Sequence, residues 1–163
     1  MKWTVSAAAL LAAVLASAAA AAEGTGLRAH GVQLAAPDGW SRVEPADEAV
    51  GADPRTLLVV GTRGARAIES DCQVSSYRVP ADGAVVVVIG WRPPSRGVTF
   101  LPLSSMRLRP RTFECFEGRG AVAQVIRNGR DYQLNVMVGD RADADRVAEA
   151  LAVARSFALA PRD

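Results

Sequence analysis

The alternation of apolar and polar residues is clearest near the C-terminus. Residues 120–127 (GAVAQVIR) and 130–139 (RDYQLNVMVG) flank Asn128-Gly129. Asn-Gly between two apolar runs is the strongest short-range hairpin signal. Both central residues of a type I′ turn need positive φ, which Asn tolerates and Gly adopts freely. In the second arm Tyr132, Leu134, Val136 and Val138 share one face, and Gln133, Asn135 and Met137 share the other. One face is plainly apolar and the other mixed, as in a sheet with one covered side. The period then changes. Ala144, Val147, Leu151 and Ala154 recur at helical spacing, widened by Ala148, Ala150 and Val153. Asp140 is the expected N-cap, with Asp143 three residues on, and Arg155 suits the C-terminal end. This helix should cover the apolar face of the hairpin. Residues 156–159 leave it as a short strand or extended tail.

Earlier in the chain the pattern predicts more strands. Residues 30–35 (HGVQLA) read as the first, after a loose lead-in over 23–29. Pro37-Asp38-Gly39-Trp40 is a turn that delivers Trp40 to the edge of the core. Residues 42–54 read as a surface loop, 55–61 (RTLLVVG) as a strand, and 62–70 as a connection. Residues 72–79 alternate without a clear buried side. Residues 84–91 (AVVVVIGW) are apolar at almost every position, which marks a central strand covered on both faces. The segment from Arg92 to Gly97 (RPPSRG) is a stiff exposed loop. Residues 100–110 give no clear pattern, and Pro102 and Pro110 argue for an edge or loop. A further strand is expected over 111–117. The sum is an α+β domain: a mostly antiparallel sheet of about six or seven strands with a C-terminal helix packed on it.

Composition adds location rather than fold. The N-terminal residues 1–22 resemble a secretory signal peptide. Lys2 supplies the positive start, residues 5–15 the apolar core, and Ala20-Ala21-Ala22 a small-x-small cleavage pattern before Glu23. Cleavage after Ala18 or Ala20 fits the same alanine run. The alternative, a retained anchor, is disfavoured because so short an alanine-rich core spans a ~30 Å hydrocarbon layer poorly. Residues 23–163 then form a single exported domain with no stable membrane span after cleavage. The formal net charge of the chain is +2. Lys2 is its only lysine, so every positive charge beyond the leader is an arginine. So balanced a charge does not imply nucleic acid as a partner.

Two cysteines remain in the exported part, Cys72 and Cys115. Export and an even count point to a disulfide, worth about 4 kcal/mol for so long a loop. Two buried free thiols are the alternative. The spacing is not CxxC, and two sulfurs with a single histidine cannot complete a structural zinc site. Non-reducing mass spectrometry of exported protein should yield a linked Cys72–Cys115 peptide; two freely alkylated thiols would reject the bridge.

No catalytic set is legible. His30 is the only histidine, no serine lies in a GxSxG elbow, and no GxGxxG or P-loop occurs. Glu114 and Glu117 flank Cys115 with odd spacing, so in a strand they face opposite sides. Asp140, Asp143 and Asp145 lack the glycine and distal glutamate of a calcium loop and read as helix caps. No metal or cofactor is called for. Arg107, Arg109 and Arg111 alternate, so an extended backbone points them one way, with Arg92 on the neighbouring loop. Such a row is either a charged edge that discourages strand addition or a site for phosphate, sulfate or carboxylate groups. Trp91, beside Arg92, offers a stacking surface or core packing.

The strand entering Pro37-Asp38-Gly39-Trp40 and the terminal helix ending in Ala154-Arg155-Ser156-Phe157 resemble the PsbP-like superfamily of small exported α/β proteins. Residues 72–80, Phe113 with Cys115, and Gly129-Arg130 are similar to segments of small secreted proteins of GC-rich bacteria. The resemblance implies an antiparallel sheet with helices and a mainly non-enzymatic accessory or binding role. It carries over no functional residue, and the cysteine pair is not a general feature of the superfamily. The expectation is therefore a non-catalytic exported domain that binds an anionic or acidic envelope component or an extracellular protein, through Arg107, Arg109, Arg111, Trp91 and Arg92. The competing readings are an envelope glycan or ester hydrolase using Glu114, Glu117 or His30, and an inhibitor presenting the loop from Arg92 to Gly97.

Overall fold

The computed structural model describes residues 25–45, 54–69, 77–91, 101–110, 112 and 116–161. The leader, Cys72, Cys115, Arg92, Arg111, Glu114 and the loop from Arg92 to Gly97 lie outside the described residues.

The largest element is a six-stranded antiparallel sheet. Its strands, in spatial order, are β3 (Trp40–Arg42), β4 (Arg55–Thr62), β7 (Ala84–Trp91), β10 (Arg130–Val138), β9 (Arg119–Arg127) and β8 (Arg109–Pro110). The apolar run 84–91 is central, as its pattern requires. It pairs with β4 on one side and β10 on the other, and residues 84–89 are buried. Asn128-Gly129 closes β9 onto β10, with Arg127 opposite Arg130. Pro110 falls on the edge strand, where its missing N–H costs no ladder bond.

Two elements cover one face of this sheet. One is α1 (Ala144–Arg155), which buries Ala150, Val153 and Ala154. The other is a three-stranded sheet in the order β1 (Thr25–Ala29), β2 (Val32–Ala36), β11 (Ala158–Leu159). Between the layers lie Leu34, Val86, Val88, Leu134, Val136 and Phe157, among others. The opposite face carries a second apolar cluster that includes Val59, Val85, Val87, Ile89 and Met137. It packs with Tyr77 and Ala67 of a two-stranded hairpin, β5 (Arg66–Ala67) and β6 (Tyr77–Arg78). The mixed face of β10 is thus covered too, and Asp131 and Asn135 are fully buried on it.

Several expectations need correction. The described residues contain eleven strands in three sheets, because short edge pieces carry little apolar pattern. The expected loose lead-in is in fact β1, and His30 is not in a strand. His30-Gly31 is the turn between β1 and β2, with φ of 46° and 78°. The connection 62–70 contains β5. The helix N-cap is Asp143 rather than Asp140: its carboxylate accepts from Arg146 N at 2.8 Å. Just before the cap the backbone is tied to the turn over residues 80–83: Gly139 N donates to Gly83 O at 2.9 Å and Arg141 N to Ala81 O at 2.7 Å.

Beyond the helix, Ser156 fastens the C-terminal segment to β2, its hydroxyl accepting from Ala35 N at 2.8 Å. Tyr132 and Phe157 stack at 5.2 Å between ring centres. The C-terminal end of α1 therefore sits near the start of β10, and its N-terminal end near the finish of β10.

Candidate functional site

The C-terminal end of α1 lies against residues 101–107, and this contact assembles cations from distant parts of the chain. A short 3-10 turn, Leu103–Ser105, packs beside β9, to which Leu101 O is tied by Gln124 N at 2.8 Å. Met106 follows and is buried, leaving its carbonyl at the surface end of the helix. Arg155 Nη2 donates to Met106 O at 3.2 Å and its Nε to Leu103 O at 3.4 Å. Arg107 Nη1 donates to the same Met106 O at 3.4 Å. Two guanidinium groups thus converge on one oxygen, and the donating nitrogens are closer together than the sum of those two bonds.

Neither cation has a carboxylate partner among the described residues. Among the described residues the ion pairs are Arg42 with Glu44 and Arg146 with Glu149, both elsewhere. Arg107, Arg109 and Arg155 are all exposed. Arg109 sits in β8 opposite Gly120, and its strand is held by Thr112, whose Oγ1 lies 2.7 Å from Arg109 O and 2.8 Å from Gly120 O. Arg119, next on β9, is diverted to structure: its Nη2 donates to Ala142 O at 3.0 Å. At the exposed pair, mutual repulsion is on the order of 0.5–1 kcal/mol under water-like screening. A bound anion would relieve it and accept several N–H donors at once.

The sequence singled out the row Arg107, Arg109 and Arg111. The structure places Arg107 outside any strand and Arg109 inside one, and the neighbour it brings to Arg107 is Arg155. Sequence reasoning missed Arg155 as a site residue, since it had an adequate local role at the negative end of the helix. Trp91 is half-buried and packs on the second apolar cluster.

The other candidates lie apart from this surface. His30 lines a cleft with Asn128, Arg130, Tyr132, Leu159 and Pro161; among the described residues its lining contains no carboxylate, serine or cysteine. Glu117 is exposed, between Phe116 and β9. At the N-terminal end of α1, Asp82, Asp143, Asp145 and Glu149 share an open groove with Arg141 and Arg146. There Asp143 caps the helix and Glu149 pairs with Arg146. Among the described residues no group of three or more histidine, cysteine, aspartate or glutamate side chains is placed to hold a metal ion. Nor is any helix among them long and apolar enough to cross a membrane.

The fold defines a mostly antiparallel sheet protein with one α-helix near its C-terminus. Against family models, curated proteins and solved structures, the chain finds no match.

Proposed function

We propose that this protein is an exported, non-catalytic binding domain whose contact surface is the arginine cluster at the C-terminal end of α1. Its partner is an anionic or acidic component of the cell envelope. The observation that carries the reading is the convergence of Arg107 and Arg155 on the Met106 carbonyl with no carboxylate among the described residues to neutralise them. Arg109 extends the surface along the β8 edge. Export rests on the pattern of residues 1–22, and the resemblance to the PsbP-like superfamily points to the same accessory role. Arginine suits the task because its fork meets carboxylate, sulfate and phosphate oxygens in pairs. Contact through exposed cations also implies binding that weakens with salt, as screening shortens the reach of each charge.

The test is calorimetric titration of the protein with a poly-glutamate peptide and with inorganic phosphate, at low and physiological salt. The double variant Arg107→Glu, Arg109→Glu is expected to lose at least about tenfold in affinity, a loss of roughly 1.4 kcal/mol. Arg155→Gln, which keeps the carbon stem as far as Cδ and removes the charge, should lose part of that. Unchanged affinity in variants that melt like the parent would reject the surface.

A further inference from the structure

Two hairpin turns, one from the three-stranded sheet and one from the six-stranded sheet, meet on a different part of the surface. His30-Gly31 closes β1 onto β2, and Asn128-Gly129 closes β9 onto β10. Their backbones match: φ is 46° and 78° in the first turn, 49° and 71° in the second. Among the described residues, His30 and Asn128 are the only non-glycine positions with positive φ. Both line one cleft of about 370 Å³. Its third wall is the end of β11 and the chain after it, with Leu159, Ala160 and Pro161. Ala160 N donates to Gly31 O at 3.0 Å, which fixes that wall against the first turn. The cleft falls within the range of small-molecule sites, about 300–1,000 Å³.

The chemistry of the lining is one-sided. His30, Arg130 and the phenol of Tyr132 are all able to donate hydrogen bonds, and among the described residues no carboxylate lines the cleft. Among the described residues, the side chains of His30 and Arg130 make no hydrogen bond or ion pair, so their donors are uncommitted. Tyr132 is held in place by its contact with Phe157 and is only 5% exposed. Leu159, Ala160 and Pro161 supply an apolar wall beside these donors. Histidine, like the asparagine at the equivalent position of the other hairpin, is among the side chains that tolerate left-handed backbone, so the turn places the imidazole at the mouth of the cleft without strain peculiar to it.

We infer that this cleft binds a small organic anion, a carboxylate or phosphate monoester carried on an apolar body. Arg130 and His30 take the anionic group, the Tyr132 hydroxyl orients it, and Leu159 and Pro161 pack against the body. The site is independent of the arginine cluster, because neither Arg107, Arg109 nor Arg155 lines the cleft.

The experiment is titration of the purified protein with benzoate, phenyl phosphate, inorganic phosphate and neutral benzamide, followed by calorimetry and tyrosine fluorescence. One of the two organic anions should bind saturably at one site, at least about tenfold tighter than benzamide or inorganic phosphate. Which of the two binds tighter identifies the head group. The variants are chosen to keep the fold: His30→Asn preserves a residue suited to the turn, Tyr132→Phe preserves the ring against Phe157, and Arg130→Gln preserves an extended strand residue. His30→Asn and Arg130→Gln should each weaken binding about tenfold and Tyr132→Phe about threefold, each with an unshifted melt. Arg107→Glu should leave this binding unchanged. The inference is overturned if neither organic anion saturates below the high-millimolar range or if benzamide binds equally well. It is also overturned if inorganic phosphate matches both organic anions in the Arg107→Glu, Arg109→Glu background, where the arginine cluster no longer contributes, or if His30→Asn and Arg130→Gln bind like the parent.

Discussion

Gly139→Ala is expected to cost the fold about 3 kcal/mol or more, a large share of the roughly 5–15 kcal/mol that holds a domain of this size. A methyl group at position 139 would collide with the carbonyl oxygens of Pro80 and Ala81. These are backbone atoms and have no rotamer to escape into. Gly139 is also tied to the same turn from the other side, its N–H donating to Gly83 O at 2.9 Å, with Arg141 N bonded to Ala81 O at 2.7 Å. Relief requires one of two movements. Either the turn over residues 80–83 shifts, disturbing Ala84 at the start of β7 and its 3.0 Å bond to the buried Thr62 hydroxyl, or the link between β10 and α1 shifts, lifting the helix from the sheet. Gly26→Ala is the matched control. Nothing lies within 4 Å of its added methyl and its φ is not positive, so it should stay within about 1 kcal/mol of the parent. In urea the Gly139→Ala midpoint should fall by about 1 M or more. A midpoint within experimental error of the parent would show that the turn yields freely, and the argument from close approach would fail.

What was legible in the chain was local. The Asn128-Gly129 hairpin, the buried run 84–91 and the helical stripe each announce themselves within about a dozen residues, where period and turn chemistry act directly. His30-Gly31 was obscured because His-Gly is not one of the strong hairpin pairs such as Asn-Gly or Asp-Gly, and its flanking strands alternate weakly. The cap at Asp143 was hard to place because Asp140 and Asp143 are equally suited to capping, and the contact of residues 139 and 141 with the distant turn over 80–83 leaves no pattern near Asp140. The cationic site was half visible. Arg107 and Arg109 could be suspected from their spacing, whereas Arg155 is 49 residues from the Met106 carbonyl it shares with Arg107. Only the packing of α1 against residues 101–107 brings them together. The mixed face of β10 misled for a related reason. Polar residues at 131, 133 and 135 imply water, yet Asp131 and Asn135 are buried in a second layer.

That second layer sets up a paired prediction at adjacent positions. Leu134 and Asn135 are both fully buried on β10, on opposite faces. Leu134 faces the helix side, paired with Val88 and Ala123 inside the main cluster. Leu134→Ala removes most of a side chain from the middle strands, where backbone on both sides is locked in the ladder and cannot close the gap. The expected cost is about 3–5 kcal/mol, the upper part of the range for such truncations. Asn135 faces the other way, opposite Val87 and Val122. Its Oδ1 accepts from Gln133 Nε2 at 2.9 Å, but its Nδ2 is buried with no hydrogen-bond partner. A buried donor left unmade costs on the order of 1–3 kcal/mol. Asn135→Val deletes that donor, adds a β-branched side chain suited to a strand, and leaves Gln133, which is only half-buried, free to reach water. It should raise stability by about 1 kcal/mol. Equilibrium unfolding of the two variants therefore has opposite expected signs at neighbouring residues. Were Asn135→Val to destabilise the protein by more than about 1 kcal/mol, the Asn135 amide would have to be making an interaction that offsets its burial, and the polar row of β10 would become a third place to look for a ligand.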